Sequence, residues 1–147
     1  MPRLRPSTDW PSGRVIRLDH RSEALASNPW EDPAERELAV YLPHGYEQAT
    51  EPFVALWDLA AYTNAGPGHL NWRNHGENLA QRLDRLIGSG EMDPVVAVIP
   101  DCYTSLGGNQ YVNSPAVGMY ADYLVEELVP LVSAEFNVID GREGRAL

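Results

Sequence analysis

Polar and aromatic side chains suited to binding or transforming a small molecule are concentrated in two segments of the sequence. The first segment runs from position 58 to about 74, and the second from 101 to about 113. Their carboxylates, imidazoles, phenols, amides and thiol could move protons, attack a carbonyl or orient a polar group. The candidates are Trp57, Asp58, Tyr62, Asn64, His69, Asn71, Trp72 and His75 in or beside the first segment, and Cys102, Tyr103, Ser105, Asn109, Gln110, Tyr111 and Asn113 in the second.

The spacing of these residues argues against a metal centre and against a nucleophile. His75 and Glu77 are two positions apart at a predicted helix start and would not face the same ligand, so a site with His69 is disfavoured and Glu77 is interpreted as a cap. Cys102 is the single cysteine, which excludes an intrachain disulfide and a Cys-based zinc site. It lacks a Gly-x-Cys-x-Gly surround and is interpreted as a packed thiol. Ser89 lies at a predicted helix end and lacks the Gly-x-Ser-x-Gly pattern.

Two residues at the start of the first segment keep more than one interpretation. Asp58 follows a buried apolar run, where a charged carboxylate needs hydrogen bonds. It is therefore either a structural clamp that holds the loop by hydrogen bonds or a polar group of a pocket, and we favour the clamp. Trp57 and Trp72 fit the core and a pocket wall equally well. Gly107 and Gly108 are not followed by a phosphate-loop pattern and are expected to serve turn geometry.

Apolar runs predict that both segments begin at the ends of parallel strands. Residues 53–57 and 95–99 are unbroken apolar stretches, typical of strands covered on both faces. Ligands bind outside the carboxyl ends of such strands, where long ordered loops are usually functional. Two further strands are predicted around 15–18 and 38–42.

Two helices are predicted to cover the sheet. The first lies between the two runs, with a predicted capping box at Asn74 and Glu77, an end at Gly88 and Gly90, and a stripe of Leu79, Leu83, Leu86 and Ile87. The second is predicted to begin with Ser114 as N-cap and Pro115 as its first residue, with a kink at Pro130. Its apolar stripe is Tyr120, Leu124, Leu128, Leu131, Val132 and Phe136.

The length and charge of the chain indicate how many domains it has and which partners it is unsuited to bind. A chain of 147 residues predicts one packed unit, which we divide into a loose arm over residues 1–14 and a domain over 15–147. Eleven basic and 21 acidic residues give a net charge of −10, which argues against a nucleic-acid or anionic-membrane partner. Residues 1–13 contain no apolar stretch of signal-peptide length, and nothing later approaches a membrane span, so we expect a cytoplasmic protein.

Five parts of the sequence together carry a resemblance to a known family: residues 37–46, 53–57, 83–87 with 90–92, 98–101, and 111–115 with 120–130. They resemble an esterase family of the α/β-hydrolase superfamily that includes enterochelin esterases, S-formylglutathione hydrolases and mycolyltransferases. The likeness covers about residues 35–147, and its last two segments are the most specific. It implies a truncated α/β-hydrolase fold with a mostly parallel sheet of strands one to four and flanking helices.

The resemblance implies hydrolysis of a small-molecule acyl ester by a serine triad, with no cofactor and no metal. In the family the Gly-x-Ser-x-Gly elbow follows a segment like residues 142–147, so we expect the N-terminal half of an enzyme, without catalytic side chains and inactive alone. The family's oxyanion-hole donor falls on the Ala60 N–H, give or take one residue, although the usual His-Gly is Asp58-Leu59 here. Predicted substrate-binding residues are Trp57, Asp58, Leu59, Ala61, Trp72, Asn109, Gln110, Tyr111 and Asn113.

Two further expectations concern the sheet and a rival function. The superfamily strand order places the third strand between the fourth and fifth, so a chain ending at Leu147 would leave 53–57 as an exposed edge that invites self-association. About half of the second helix's apolar stripe would then stay exposed. The alternative function is a non-catalytic module whose loops bind a small carbohydrate, an acyl ligand or a protein partner.

Overall fold

A computed structural model describes residues 9–147, so positions 1–8 of the predicted arm lie outside the described residues. The main sheet has five strands, and a two-stranded hairpin lies apart from it. The main strands are β1 (Arg14–Arg21), β2 (Glu35–Leu42), β3 (Val54–Trp57), β4 (Val95–Pro100) and β7 (Arg145–Ala146), and the hairpin strands are β5 (Asn113–Ser114) and β6 (Gly118–Met119).

The main sheet is evenly mixed, whereas the sequence predicted a mostly parallel one. Its strand order is β1-β2-β4-β3-β7. The β1–β2 and β2–β4 pairs are antiparallel, and the β3–β4 and β3–β7 pairs are parallel. The parallel part is the β3-helix-β4 crossover that the two apolar runs predicted, and all six residues of β4 are buried.

Helix α1 (Leu79–Gly88) covers one face of the sheet and begins four residues later than predicted. Its capping box is formed by Asn78, whose side chain accepts from the Gln81 N–H, while the Gln81 side chain accepts from the Asn78 N–H. The prediction of Asn74 and Glu77 as the box was wrong, because Glu77 precedes the cap and its carboxylate accepts from Arg85 instead. The helix ends as predicted, with Gly90 at φ +75°.

The helix on the other face runs through three continuous parts and begins later than predicted. They are α2 (Tyr120–Asp122), a π-helical segment (Tyr123–Leu128) and α3 (Val129–Glu135). Ser114 lies in β5, and its side chain accepts from the Ala116 N–H within the hairpin turn, so it is not the helix cap. A kink was predicted at Pro130, which lies in the first turn of α3. The helix is irregular just before this proline, where its turns widen into the π-helical segment.

The apolar stripe of this second helix is buried against the sheet, which corrects the expectation that half of it stays exposed. Tyr120, Leu124, Leu128, Val132 and Phe136 are each at most 9% exposed. They form one core cluster with Trp57 and alternate residues of β2 and β4, while α1 and the other strand positions form a second cluster. The sheet is therefore covered on both faces.

The expectation that residues 53–57 form an unpaired edge was wrong. After the second helix the chain returns beside β3, where Val138 bridges Phe53 and β7 pairs with Ala55 and Leu56. The two-residue β7 becomes the outer strand on this side. Within residues 9–147 no further strand pairs with its other side.

The described part of the predicted arm packs on the domain through Asp84. This carboxylate is buried in α1 and accepts from the Gly13 N–H at 2.7 Å and the Tyr41 hydroxyl at 2.8 Å. Burial and the neighbouring carboxylate raise the pKa of Tyr41, which keeps its hydroxyl as a donor. None of the helices in residues 9–147 is long and apolar enough to cross a membrane.

Candidate functional site

The two polar segments meet at the carboxyl ends of β3 and β4, as the sequence predicted. The Tyr111 hydroxyl donates to the carbonyl oxygen of Ala60 at 2.5 Å. The Gly108 N–H donates to the carbonyl oxygen of Tyr62 at 2.7 Å. These two hydrogen bonds join the loop after β3 to the loop after β4, and they fix the backbone of residues 60–62.

Tyr111 occupies an unusual backbone conformation for an aromatic residue, with φ +59°. Its N–H donates to the Asn109 side-chain oxygen at 2.7 Å, which holds this left-handed turn. Burial raises the pKa of the Tyr111 phenol to about 12, so it remains a hydrogen-bond donor at neutral pH. A left-handed conformation at a bulky residue costs free energy and persists only where the surrounding contacts hold it.

Ala60 has a buried backbone amide without a partner. The residue is 4% exposed, yet its N–H has no hydrogen-bond acceptor among residues 9–147. The preceding Asp58 N–H still continues the sheet by donating to the Val98 carbonyl. Because buried N–H groups are almost always paired, this amide without an acceptor is the loop's candidate hydrogen-bond donor.

An apolar groove of about 350 Å³ lies on the second-helix side of β3. Trp57 is only 7% exposed, so it belongs to the core and also forms the groove's inner wall. The lining residues are Trp57, Leu59, Tyr111, Ala121, Leu124, Val125, Val129, Arg145, Ala146 and Leu147. The groove therefore suits an apolar group and lies beside the loop that carries the Ala60 amide.

A polar cavity of about 250 Å³ lies on the α1 side of the same strand end. Its lining residues are Asp58, His69, Arg73, Glu77, Asn78, Leu79 and Arg82. The Asp58 carboxylate pairs with Nδ1 of His69 at 2.5 Å, eleven residues along the chain. This contact ties the middle of the long loop back to its start, in agreement with the loop-clamp interpretation of Asp58.

The predicted substrate-binding residues are divided among several places. Trp57, Leu59 and Tyr111 share the apolar groove, whereas Asp58 faces the polar cavity. Asn109 and Gln110 line a third cavity, of about 190 Å³. The residues that line none of these three cavities are Ala61, Trp72, which is 53% exposed, and Asn113, whose side-chain amide donates to Asp122.

Cys102 has the environment of a packed thiol, as predicted. It is 4% exposed, and burial raises the pKa of its thiol to about 12. The thiolate is the reactive form, so burial disfavours this side chain as a nucleophile.

Arg73 and Arg82 of the polar cavity were not predicted from the sequence. One lies in the long loop and the other on the exposed side of α1, so neither belongs to an apolar pattern or a known motif. The only sequence signal was that two arginines flank the start of the helix that leaves the loop.

Solved structures with similar folds are esterases and hydrolases. A ferulic acid esterase matches with a TM-score of 0.71 and 24% identity over 92% of this chain and 49% of its own. A CE1 ferulic acid esterase from the anaerobic fungus Anaeromyces mucronatus matches with a TM-score of 0.67 and 17% identity over 98% of this chain and 52% of its own. An S-formylglutathione hydrolase from Agrobacterium tumefaciens matches with a TM-score of 0.54 and 20% identity over 89% of this chain and 47% of its own.

No protein-family model matches the sequence. The chain spans about half the length of the solved structures that it matches. At identities below 25% the likeness concerns the fold, and here it extends over nearly the whole chain. The protein therefore has the fold of about half of an α/β-hydrolase domain.

Proposed function

We propose that this chain is the N-terminal portion of a serine esterase that hydrolyses carboxylic esters of small molecules. The observation that supports this most directly is the buried Ala60 amide, which lacks an acceptor at the carboxyl end of β3. An ester carbonyl becomes negatively charged when it is attacked, and a fixed N–H in a buried site stabilises that charge strongly.

The surrounding residues have distinct roles in this proposal. The Ala60 N–H is one of the two donors to the oxyanion. Tyr111 is a positioning residue, because its hydroxyl holds the Ala60 carbonyl and thereby fixes the loop that carries the donor. The apolar groove beside Trp57 and Leu59 receives an apolar part of the ester.

The nucleophile is proposed to come from residues outside this sequence. Residues 1–147 contain no Gly-x-Ser-x-Gly. The parallel pairing of β7 with β3 supports the proposal, because an elbow of this kind follows a strand of the sheet in α/β-hydrolases. The isolated chain is therefore expected to hydrolyse p-nitrophenyl butyrate no faster than buffer, and a serine-directed phosphonate should not label it. Hydrolysis that the phosphonate abolishes would contradict this expectation.

The decisive test is the coding sequence after codon 147 and the activity of its product. We expect an in-frame Gly-x-Ser-x-Gly within about ten codons, and a longer product that hydrolyses p-nitrophenyl butyrate. In that product Ala60→Pro removes the N–H and should lower kcat by about 10²- to 10³-fold, with KM changing little. Ala60→Gly keeps the N–H and serves as the matched control.

Two outcomes would overturn the proposal. One is a stop codon directly after codon 147, in a chain that binds a small carbohydrate, an acyl ligand or a protein partner without hydrolysing any ester. That result would support the non-catalytic module. The other is an active longer product in which Ala60→Pro and Ala60→Gly have the same kcat, which would assign the oxyanion donor to another residue.

A further inference from the structure

Arg36 of β2 carries a positive charge inside the protein, where a charge is costly. The residue is 5% exposed and lies on the same face of the sheet as the core residues Leu38 and Val40. Its Nε has no hydrogen-bond partner among residues 9–147, and in its ion pair with Asp101 the nitrogen and oxygen are 3.7 Å apart. Because an apolar side chain in such a place is often as stable, the stability of the fold alone does not account for the guanidinium.

The hydrogen bonds of this guanidinium are made to the loop after β4 and to the start of the second helix. Its Nη1 donates to the carbonyl oxygen of Tyr103 at 2.7 Å, and its Nη2 donates to the Tyr120 hydroxyl at 3.0 Å. The Tyr103 N–H donates in turn to the Asp101 carboxylate at 3.1 Å. Both backbone groups of Tyr103 are therefore held, one by each member of the Arg36–Asp101 pair.

The start of the same loop also supports the left-handed turn at Tyr111. The carbonyl oxygen of Cys102 accepts from the side-chain amide of Asn109 at 3.3 Å. The oxygen of that amide accepts from the Tyr111 N–H at 2.7 Å, and the Tyr111 hydroxyl donates to the Ala60 carbonyl at 2.5 Å. Asn109 is 7% exposed, so water is a poor substitute for either partner. A continuous set of contacts therefore leads from the buried guanidinium through Asn109 and Tyr111 to Ala60.

We propose that Arg36 is a positioning residue for the Ala60 amide. Its guanidinium fixes the start of the loop after β4, Asn109 ties Tyr111 to that start, and Tyr111 holds Ala60. A donor stabilises a developing oxyanion most when it is fixed before the reaction, so residues that restrict its loop contribute without touching the substrate. The catalytic value of this arrangement rests on the proposed esterase function, whereas the coupling of Arg36 to Ala60 is a property of the 147-residue chain.

Amide hydrogen exchange in the 147-residue chain tests the coupling. Arg36→Met removes the donors and keeps a long side chain, and it should raise the exchange rates of residues 59–62 by about five- to tenfold. Arg36→Lys keeps the charge, but its single nitrogen cannot replace both Nη contacts, so its effect should be intermediate. The lysine variant also decides the question if Arg36→Met does not fold. A purely structural arginine would raise the rates of the β4 amides by the same factor, and that result would overturn the proposal.

A double variant tests whether Arg36 acts through Tyr111. Tyr111→Phe already releases Ala60, so adding Arg36→Met or Arg36→Lys to it should change the rates of residues 59–62 by less than about twofold. Single-variant factors that multiply in the double variant would contradict the proposal. Arg17→Met is the matched control, because it removes a guanidinium from an exposed position of the neighbouring strand β1. Its rates at residues 59–62 should equal those of the unmodified chain.

The catalytic consequence is measured in a longer product that hydrolyses p-nitrophenyl butyrate. There Arg36→Lys should lower kcat by about three- to tenfold and change KM by less than about twofold. An unchanged kcat together with faster exchange at residues 59–62 would overturn the positioning role in catalysis. A longer product that is inactive without any substitution would instead overturn the esterase proposal, and the exchange rates would still decide the coupling of Arg36 to Ala60.

Discussion

The two cavities beside the end of β3 differ in composition although consecutive residues form their walls. Trp57 faces the apolar groove and Asp58 faces the polar cavity. Side chains alternate across a strand, so a single step along the chain moves from one side of the sheet to the other. The apolar side is built from core residues, whereas the polar side is built from loop and helix-surface residues. Substitutions on the two sides should therefore affect different properties of the protein.

The largest expected effect is on the apolar side. Trp57→Ala should lower the free energy of unfolding by about 3–5 kcal/mol, because it leaves a cavity between β3 and the second helix. Urea unfolding measures the loss. Trp57→Phe keeps an aromatic ring and should recover more than half of it. A loss below about 1 kcal/mol for Trp57→Ala would mean that the ring belongs to the groove rather than to the core.

The bond between the two loops should have an intermediate effect. Tyr111→Phe removes the donor to the Ala60 carbonyl and should cost about 1 kcal/mol of unfolding free energy. Faster amide exchange in residues 59–62 should accompany that loss, because the loop is released from its partner. Tyr62→Phe removes only an exposed hydroxyl with a 3.4 Å contact and serves as the control. Unchanged exchange in Tyr111→Phe would contradict the positioning role.

On the polar side, Asp58→Ala should cost less than Trp57→Ala. It breaks the pair with His69, and a partly exposed pair of this kind contributes about 0.5–1 kcal/mol. Hydrogen exchange should quicken in the loop from residue 59 to residue 74 and stay the same in the second helix. In Asp58→Asn the side-chain amide oxygen still accepts from His69. The unfolding free energy of this variant should therefore lie between those of the unmodified chain and Asp58→Ala. Equal quickening on both sides of the sheet would show that the two cavities are not independent.

The smallest effect is expected at the rim of the apolar groove. Val125 is 58% exposed, so Val125→Ser should change the unfolding free energy by no more than about 0.5 kcal/mol. Its neighbour Leu124 is 8% exposed, and Leu124→Ala should cost about 2–5 kcal/mol. Chemical unfolding of both variants tests this contrast. Similar losses in the two would mean that the groove is closed in solution.

The sequence predicted the strands well because burial on both faces leaves a strong apolar pattern. Residues 95–99 became the fully buried β4, and the crossover through α1 followed from two such runs. Helix starts were predicted less well, since several polar residues near each start can cap a helix. The capping box is formed by Asn78 and Gln81 and not by Asn74 and Glu77, because the Glu77 carboxylate accepts from Arg85.

Features that depend on contacts between distant segments were not visible in the sequence. The loop clamp at Asp58 was favoured, but its partner His69 was not identified, because the return of the loop is a tertiary property. The covering of β3 by β7 was missed for the same reason. The substrate-binding role assigned to Asn109, Gln110 and Asn113 stays a prediction, and these residues lie away from the apolar groove.

The pairing of β7 with β3 also bears on the order in which the molecule folds. The β1–β2 pair and the β3–α1–β4 crossover join neighbouring segments, whereas Ala55 and Arg145 are 90 positions apart. Closing so long a loop is slow, because chain entropy is lost before the stabilising contacts between the two segments can form. We expect amides of β4 to gain protection first in pulse-labelled hydrogen exchange and those on the outer side of β3 last. During synthesis on the ribosome, one side of β3 would therefore stay unpaired until residues 145 and 146 emerge, and this is the interval in which a chaperone would matter most.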